Sequence, residues 1–180
     1  MADRSVTGVL LVGGASARFG SPKALARFGD ETLADRAWRT LGEAFPARLA
    51  VGKGEHELPF PVVVEPAEPQ APLVGVIAGL RAATTEAAVF LPVDCPLVTP
   101  ELLRDLGARG AVTQTGPLPG AYSKSDLPEL ERRLRSGEWS LRGVNPRVLE
   151  AHPRLLANAN TPAELSALEH HLAALDHDRA

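Results

Sequence analysis

Short apolar runs alternate along this chain with longer segments whose apolar residues recur at helical spacing. Residues 8–12 and 88–93 are strand-length apolar runs, while Leu33, Ala37 and Leu41 fit one face of a helix that begins behind Thr32. Strands that are apolar throughout are typical of a parallel sheet covered by helices on both faces. The sequence therefore predicts an α/β fold with a mostly parallel sheet.

The same alternation continues to the end of the chain. Further strands are expected at residues 48–51, 61–65, 111–114 and 121–123, and further helices are expected to open at Gly75, at Thr99-Pro100, at Asp126 and at Thr161-Pro162. The last of these starts is a capping box, because Glu164 follows Thr161 by three residues. The final helix is expected to run to about Leu175.

Length and composition are those of a chain with one sizeable core. The chain has 180 residues, 44% of them hydrophobic and 23% charged, so we expect one domain over residues 1–175 and a frayed tail over residues 176–180. The formal net charge is -3, and Lys and Arg do not cluster. A nucleic-acid partner is therefore not expected.

Cysteine content and the N-terminal residues indicate a cytoplasmic protein. Cys95 is the single cysteine and cannot form an internal disulfide, and residues 1–5 contain no apolar signal stretch. Apolar runs are only of strand length, so no membrane span is expected. We expect Cys95 to be a small buried hydrophobic residue, since no His partner that would activate it can be identified.

A glycine-rich turn follows the first apolar run. Gly13 and Gly14 can turn the backbone sharply and expose N–H groups to phosphate oxygens, although the same pair also suits a plain strand-to-helix turn. Arg18 and Lys23 follow within the same loop and are candidate phosphate ligands and catalytic residues; taken singly, each also fits a solvated surface cation. The spacing matches neither the phosphate loop of kinases and GTPases nor the dinucleotide-binding motif.

Asp94 ends the second apolar run, where an unpaired carboxylate would be costly to bury. Parallel sheets bind ligands beyond the carboxyl ends of their strands, so Asp94 and the glycine turn should face one crevice. Mg²⁺ is typically held by one or two carboxylates together with phosphate oxygens. Asp94 is therefore the candidate metal ligand, and a cap on the following turn is the alternative.

Two asparagines precede the last helix. Asn158 and Asn160 have the spacing of residues on one face of a strand. Their amides could bind metal-bound water or substrate phosphate, or could form an Asx turn that leads into the cap at Thr161. The five histidines show no spacing typical of a metal site.

Over nearly its full length the chain resembles the molybdenum cofactor guanylyltransferases of the MobA type. The resemblance lies in residues 11–20 with 23–25, residues 72–75 with 79–80, residues 92–96, residues 117–118 with 121–122, and residues 158–165. The first and third blocks are shared with a wider nucleotidyltransferase superfamily. The block Asn158 to Leu165 is sharper, because related cytidylyltransferases tend to carry an Asp there.

The resemblance implies a single-domain αβα sandwich of the Rossmann-like nucleotidyltransferase type. Such an enzyme takes GTP and a molybdopterin-type cofactor and forms the guanine dinucleotide cofactor with release of pyrophosphate. By position, Leu11, Val12, Gly13, Gly14 and Lys23 would contact GTP, and Asp94 would hold GTP and Mg²⁺. Glu68 occupies the place of an acidic residue ahead of the Pro-Leu-x-Gly block, and a carboxylate can accept from guanine N1–H and N2–H together. Transient contact with cofactor-insertion proteins or molybdoenzymes is also implied.

Three positions depart from the family pattern. Val12 replaces an Ala, Ser21-Pro22 precedes Lys23 where the family has x-Asp, and Glu68 replaces the commoner Asp. The Pro22-Lys23 form is closer to cytidylyl and sugar-phosphate transferases. The alternatives are therefore a CTP-dependent molybdopterin cytidylyltransferase or a sugar-phosphate nucleotidyltransferase, and, in another class, a non-catalytic protein that delivers nucleotide or cofactor.

Overall fold

The computed structural model of this chain describes residues 5–13, 22–54 and 57–177. Nine strands are described: β1 Val6–Leu11, β2 Arg27–Phe28, β3 Glu31–Thr32, β4 Ala47–Gly52, β5 Val62–Val64, β6 Ala87–Pro92, β7 Val112–Thr113, β8 Gly116–Ser123 and β9 Val148–Leu149. Five α-helices are described: α1 Leu33–Ala44, α2 Pro72–Ala82, α3 Pro100–Arg109, α4 Leu127–Ser136 and α5 Pro162–His177. Short 3-10 helices cover Lys23–Leu25, Lys124–Asp126 and Pro153–Leu156.

Seven strands form one sheet in the order β5-β4-β1-β6-β8-β7-β9. Strands β5, β4, β1 and β6 are parallel, β8 runs antiparallel to both β6 and β7, and β7 is parallel to β9. The mostly parallel sheet is therefore confirmed. Because β1, β4, β5 and β6 run in one direction, their carboxyl ends lie at the same edge of the sheet.

Helices cover both faces of the sheet, which gives the expected αβα sandwich. One buried cluster packs α1, α3 and the start of α5 against one face, with Leu41, Leu103 and Leu165 among its members. A second cluster packs α2 and α4 against the other face, with Leu80 and Leu130. Both clusters draw on alternating residues of β1, as the apolar run predicted.

Some expected element boundaries are wrong. The helix expected to open at Gly75 begins earlier, at Pro72, so that Gly75 lies inside α2. Asp126 is the N-cap residue of α4, as expected, but its carboxylate makes no capping hydrogen bond to that helix and instead accepts the backbone N–H of Ser123 at 2.8 Å. The small hairpin of β2 and β3, which stands between the first loop and α1, was not expected. None of the helices in the described part of the chain is long and apolar enough to cross a membrane.

Candidate active site

The glycine turn leaves the carboxyl edge of the sheet between two neighbouring strands. Val12 N–H donates to the Val51 carbonyl at 2.9 Å, and Val93 N–H donates to the Leu11 carbonyl at 3.1 Å. The Leu11 side chain is buried in the core. The Val12 N–H is thus already bonded to β4. The Gly13 N–H makes none of the described backbone hydrogen bonds, so Gly13 is the first residue of the turn that can offer its N–H to a ligand. Gly14 and Arg18 lie outside the described residues.

Lys23, Asp94 and Asn160 meet at this edge. The Lys23 Nζ lies 3.1 Å from Asp94 Oδ2 and 3.2 Å from Asn160 Oδ1. The side chains of Lys23 and Asp94 are 16% and 22% exposed, so the ion pair is largely shielded but still reachable from solvent. The expectation that the first loop and the end of the second apolar run lie together is thereby met for Lys23 and Asp94.

Local structure explains how Lys23 reaches this point. Lys23 opens a single 3-10 turn in which the Leu25 N–H donates to the Pro22 carbonyl at 3.0 Å. Ala24, in the middle of the turn, is 4% exposed and belongs to the core. Burial of Ala24 in the core fixes the turn, which packs against α1, and the Lys23 side chain is left beside Asp94 and Asn160.

The segment before α5 is pinned beside Asp94. Ala159, which is fully buried, donates its N–H to the Asp94 carbonyl oxygen at 3.0 Å. Both asparagines are exposed, but Asn160 turns its amide oxygen to Lys23, whereas the Asn158 side chain has no hydrogen bond to a described residue. Of the two predicted asparagines, the structure therefore brings Asn160 into the cluster with Lys23 and Asp94.

The Asp94 carboxylate contacts side chains and accepts no backbone N–H of the described part of the following turn. The N–H groups of Cys95 and Val98 donate to backbone carbonyls, those of Pro92 and Cys95, and the described partners of the Asp94 carboxylate are Lys23 and the Cys95 thiol. Burial, and then the negative charge of Asp94, raise the pKa of the Cys95 thiol far above its usual range. Cys95 therefore stays protonated, which agrees with its expected role as a buried hydrophobic residue.

Oxygen donors at this edge fit a hard divalent cation that is shared with phosphate. The Asp94 carboxylate and the Asn160 amide oxygen both face Lys23, and Mg²⁺ prefers such oxygens. Among the described residues, no group of three or more His, Cys, Asp and Glu side chains could hold a metal alone. A cation here would therefore need phosphate oxygens or water to complete its shell.

A second ion pair at the same edge was missed from the sequence. Glu65 follows β5 directly, and its Oε1 lies 3.3 Å from the Lys53 Nζ, with both side chains largely buried. A Cβ atom at Gly13 would lie 2.7 Å from Glu65 Oε1, and one at Gly75 would lie 2.9 Å from Oε2. Glu65 therefore fills the space between the glycine turn and α2. Its place directly behind an apolar run, like that of Asp94, was the signal that could have revealed it.

Glu68, the predicted guanine contact, lies in the loop between β5 and α2. Its side chain is exposed, and among the described residues it has no side-chain hydrogen-bond partner. Glu65 is thus the carboxylate of this loop that the fold holds against the glycine turn, and Glu68 stands three residues further along.

Comparison with known proteins identifies similar chains over most of the sequence. Residues 8–154 match the model of the MobA-like NTP transferase domain. A protein of Aquifex aeolicus named "Probable molybdenum cofactor guanylyltransferase" is 30% identical over 182 residues, which cover 90% of each chain. A protein of Bacillus subtilis with the same name is 31% identical and is covered to 98%, against 94% of this chain.

The fold has close counterparts among solved structures. Molybdopterin-guanine dinucleotide biosynthesis protein A from Archaeoglobus fulgidus superposes with a TM-score of 0.79. The superposition covers 94% of this chain and 100% of the other, at 20% sequence identity. The arrangement of strands and helices described above is therefore that of a known architecture.

Proposed function

This chain belongs to the MobA-like NTP transferase family, and we propose that it is a molybdenum cofactor guanylyltransferase. It transfers GMP from GTP to a molybdopterin-type cofactor and releases pyrophosphate. The observation that carries the proposal is the similarity, at 30% and 31% identity over most of both chains, to relatives that bear this name. The cluster of Lys23, Asp94 and Asn160 at the carboxyl edge of the sheet supports the same class of reaction.

The reaction needs no nucleophile from the protein. An oxygen of the terminal phosphate of the cofactor attacks the α-phosphorus of GTP, and a new P–O bond forms. The bond between the α-phosphorus and its bridging oxygen breaks, and pyrophosphate leaves with that electron pair. Because the attacking phosphate is already anionic, the protein contributes position and neutralisation of charge.

Each residue of the cluster has a role in this proposal. The Lys23 ammonium contacts the phosphates, the Gly13 N–H begins the phosphate cradle, and Asn160 orients Lys23 or a phosphate oxygen. Gly14 and Arg18 are proposed to complete the cradle. Asp94 holds Mg²⁺, which when bound neutralises charge on the phosphate oxygens.

We propose that a carboxylate of the loop after β5 reads guanine. Glu68 is the residue indicated by the family resemblance, and Glu65 is the second candidate. Glu65 is supported by its geometry, because it is held beside Gly13 and Gly75 and loses little conformational entropy when a base arrives. Either carboxylate could accept from guanine N1–H and N2–H, which cytosine does not offer together.

The alternatives are less well supported. The relatives carry the name of a guanylyltransferase, which favours neither CTP nor a sugar phosphate as substrate. The same names, those of a transferase, also favour catalysis over a delivery protein. Handover of the product to cofactor-insertion proteins or molybdoenzymes remains part of the proposal.

Pyrophosphate release tests the proposed reaction directly. The purified protein is incubated with Mg²⁺, a molybdopterin-type cofactor and either GTP or CTP, and pyrophosphate and the dinucleotide product are measured. We expect turnover with GTP, little with CTP and none without the cofactor. Nucleotide binding without pyrophosphate release would favour the delivery protein, and turnover with CTP alone would favour the cytidylyltransferase.

A further inference from the structure

The first turn of α5 holds the backbone of Asn160 in place. Glu164 Oε2 accepts the Asn160 N–H at 2.6 Å, while the Glu164 N–H donates to Thr161 Oγ1 at 3.2 Å. In a capping box the Glu side chain usually reaches back to the N–H of the capping residue itself. Here it reaches one residue further, to the residue that contributes its amide to the site.

Asn160 is therefore held from two sides. Glu164 takes its backbone N–H, and Lys23 donates to its side-chain oxygen at 3.2 Å. The neighbouring Ala159 N–H is fixed to the Asp94 carbonyl. Asn160 is exposed, so without the Glu164 carboxylate a water molecule would bind its N–H instead. A water molecule does not fix the backbone, and the Asn160 backbone would then sample more than one conformation.

We propose that Glu164 is a positioning residue of the transfer site. It acts by holding Asn160 so that the Asn160 amide oxygen and the Asp94 carboxylate together aim the Lys23 ammonium. The inference rests on the proposed transfer reaction. Glu164 lies beyond residues 8–154, which match the family model, so the first turn of α5 would complete a site that the matched residues leave unfinished.

Two substitutions distinguish the effect of losing the hydrogen bond to Asn160 from the effect of changing the Glu164 side chain. Glu164→Ala removes the acceptor, whereas Glu164→Gln retains an oxygen that can accept the Asn160 N–H. We expect Glu164→Ala to lower kcat roughly tenfold, because a misplaced charged group loses transition-state stabilisation. The KM for GTP should change by less than about threefold, since Lys23 and the glycine turn remain, and Glu164→Gln should restore most of kcat.

A helix cap alone would give a different result. Glu101 is the matched control, because it too lies in the first turn of a helix that begins with Thr-Pro. Glu101→Ala should lower the melting temperature without lowering kcat. If Glu164→Ala likewise changed only the melting temperature, Glu164 would be a structural cap and the proposal would be wrong.

The pathway through Asn160 is tested in a double mutant. In an Asn160→Ala background, Glu164→Ala should lower kcat no further, because residues that act as a unit are not additive. Additive losses would overturn the proposal. Amide hydrogen exchange gives a readout without turnover: the Asn160 N–H should lose protection in Glu164→Ala and keep it in Glu164→Gln.

Two different results would contradict the proposed reaction and the proposed role of Glu164. A parent protein that releases no pyrophosphate from GTP and cofactor would contradict the proposed function. An active parent protein whose kcat is unaffected by Glu164→Ala would contradict the role of Glu164 alone.

Discussion

Lys23 Nζ lies 3.1 Å from Asp94 Oδ2, although the two residues are 71 positions apart in the chain. The lysine proposed to bind phosphate therefore already contacts the carboxylate proposed to hold the metal. A buried or half-buried charge is costly without a partner, and each of these two residues is a partner of the other. A metal–triphosphate complex brings both signs of charge and can satisfy the two groups together.

Asp94→Asn should remove most of the transfer activity and leave the fold intact. The substitution keeps the side-chain volume but removes the negative charge proposed to hold Mg²⁺, and loss of such an electrostatic group costs roughly 3 kcal/mol of transition-state stabilisation. Initial rates of pyrophosphate release across a magnesium titration measure the effect. Asp105→Asn, on the exposed side of α3, is the control. Near-normal rates at saturating magnesium would contradict the metal assignment.

Lys23→Met should weaken GTP binding and slow transfer together. Charge-assisted hydrogen bonds to a partly desolvated phosphate contribute about 1.5 to 3 kcal/mol, which corresponds to at least a tenfold loss of affinity. Calorimetric titration with GTP gives the affinity, and pyrophosphate release gives the rate. Lys124→Met removes the same charge at the other end of β6, where the Lys124 backbone N–H donates to the Glu86 carbonyl, and should change neither. Unchanged binding in Lys23→Met would make Lys23 a structural partner of Asp94 only.

Residues at the ends of apolar runs were predictable from the sequence. The runs before Gly13 and Asp94 are apolar throughout, which indicates buried parallel strands, and parallel strands end at one edge. The meeting of the first loop with Asp94 follows from that topology alone. Asn160 required the resemblance as well, because its spacing also fits a turn before a helix.

Other parts of the site depend on contacts that no local pattern shows. Lys53 and Glu65 pair because β4 and β5 lie side by side, and their partnership cannot be seen in a loop rich in Pro and Glu. Gly75 was mistaken for a helix start, whereas it lies within α2 where a Cβ atom would meet Glu65. Three-dimensional crowding, rather than a turn, accounts for that glycine.

Acid should reduce the contribution of Glu129 to stability. Hydrogen bonds from Arg132, and then from Arg133, lower the pKa of Glu129 to about 2. A carboxylate whose pKa is lowered by folding stabilises the fold fully at a pH above its pKa in the unfolded chain. This stabilisation is lost as the pH falls through its pKa in the folded protein. The difference in free energy of unfolding between the parent protein and Glu129→Gln should therefore be largest near pH 6. It should shrink between about pH 4.5 and about pH 2.

Urea unfolding at several pH values measures this difference. Glu129 also accepts from the buried Arg133, which donates to the carbonyls of Ser140 and Arg142, so the effect should include loosening of that loop. Added salt should reduce the difference, because exposed ion pairs are screened. A difference that stays constant with pH would show that the charge of Glu129 is not involved.

Base selectivity should depend on the loop after β5. A carboxylate that accepts from both guanine donors loses these two hydrogen bonds when cytosine enters, at a cost of about 1 to 3 kcal/mol. Glu68→Gln and Glu65→Gln each replace one acceptor oxygen by a donor at nearly constant volume, so the affinity for GTP should fall far more than that for CTP. The ratio of the two affinities is the quantity to measure.

Because Glu65 is held beside Gly13 and Glu68 is exposed, we expect the larger fall in Glu65→Gln. A larger fall in Glu68→Gln would assign the contact to Glu68, and an unchanged ratio in both would remove this loop from guanine recognition.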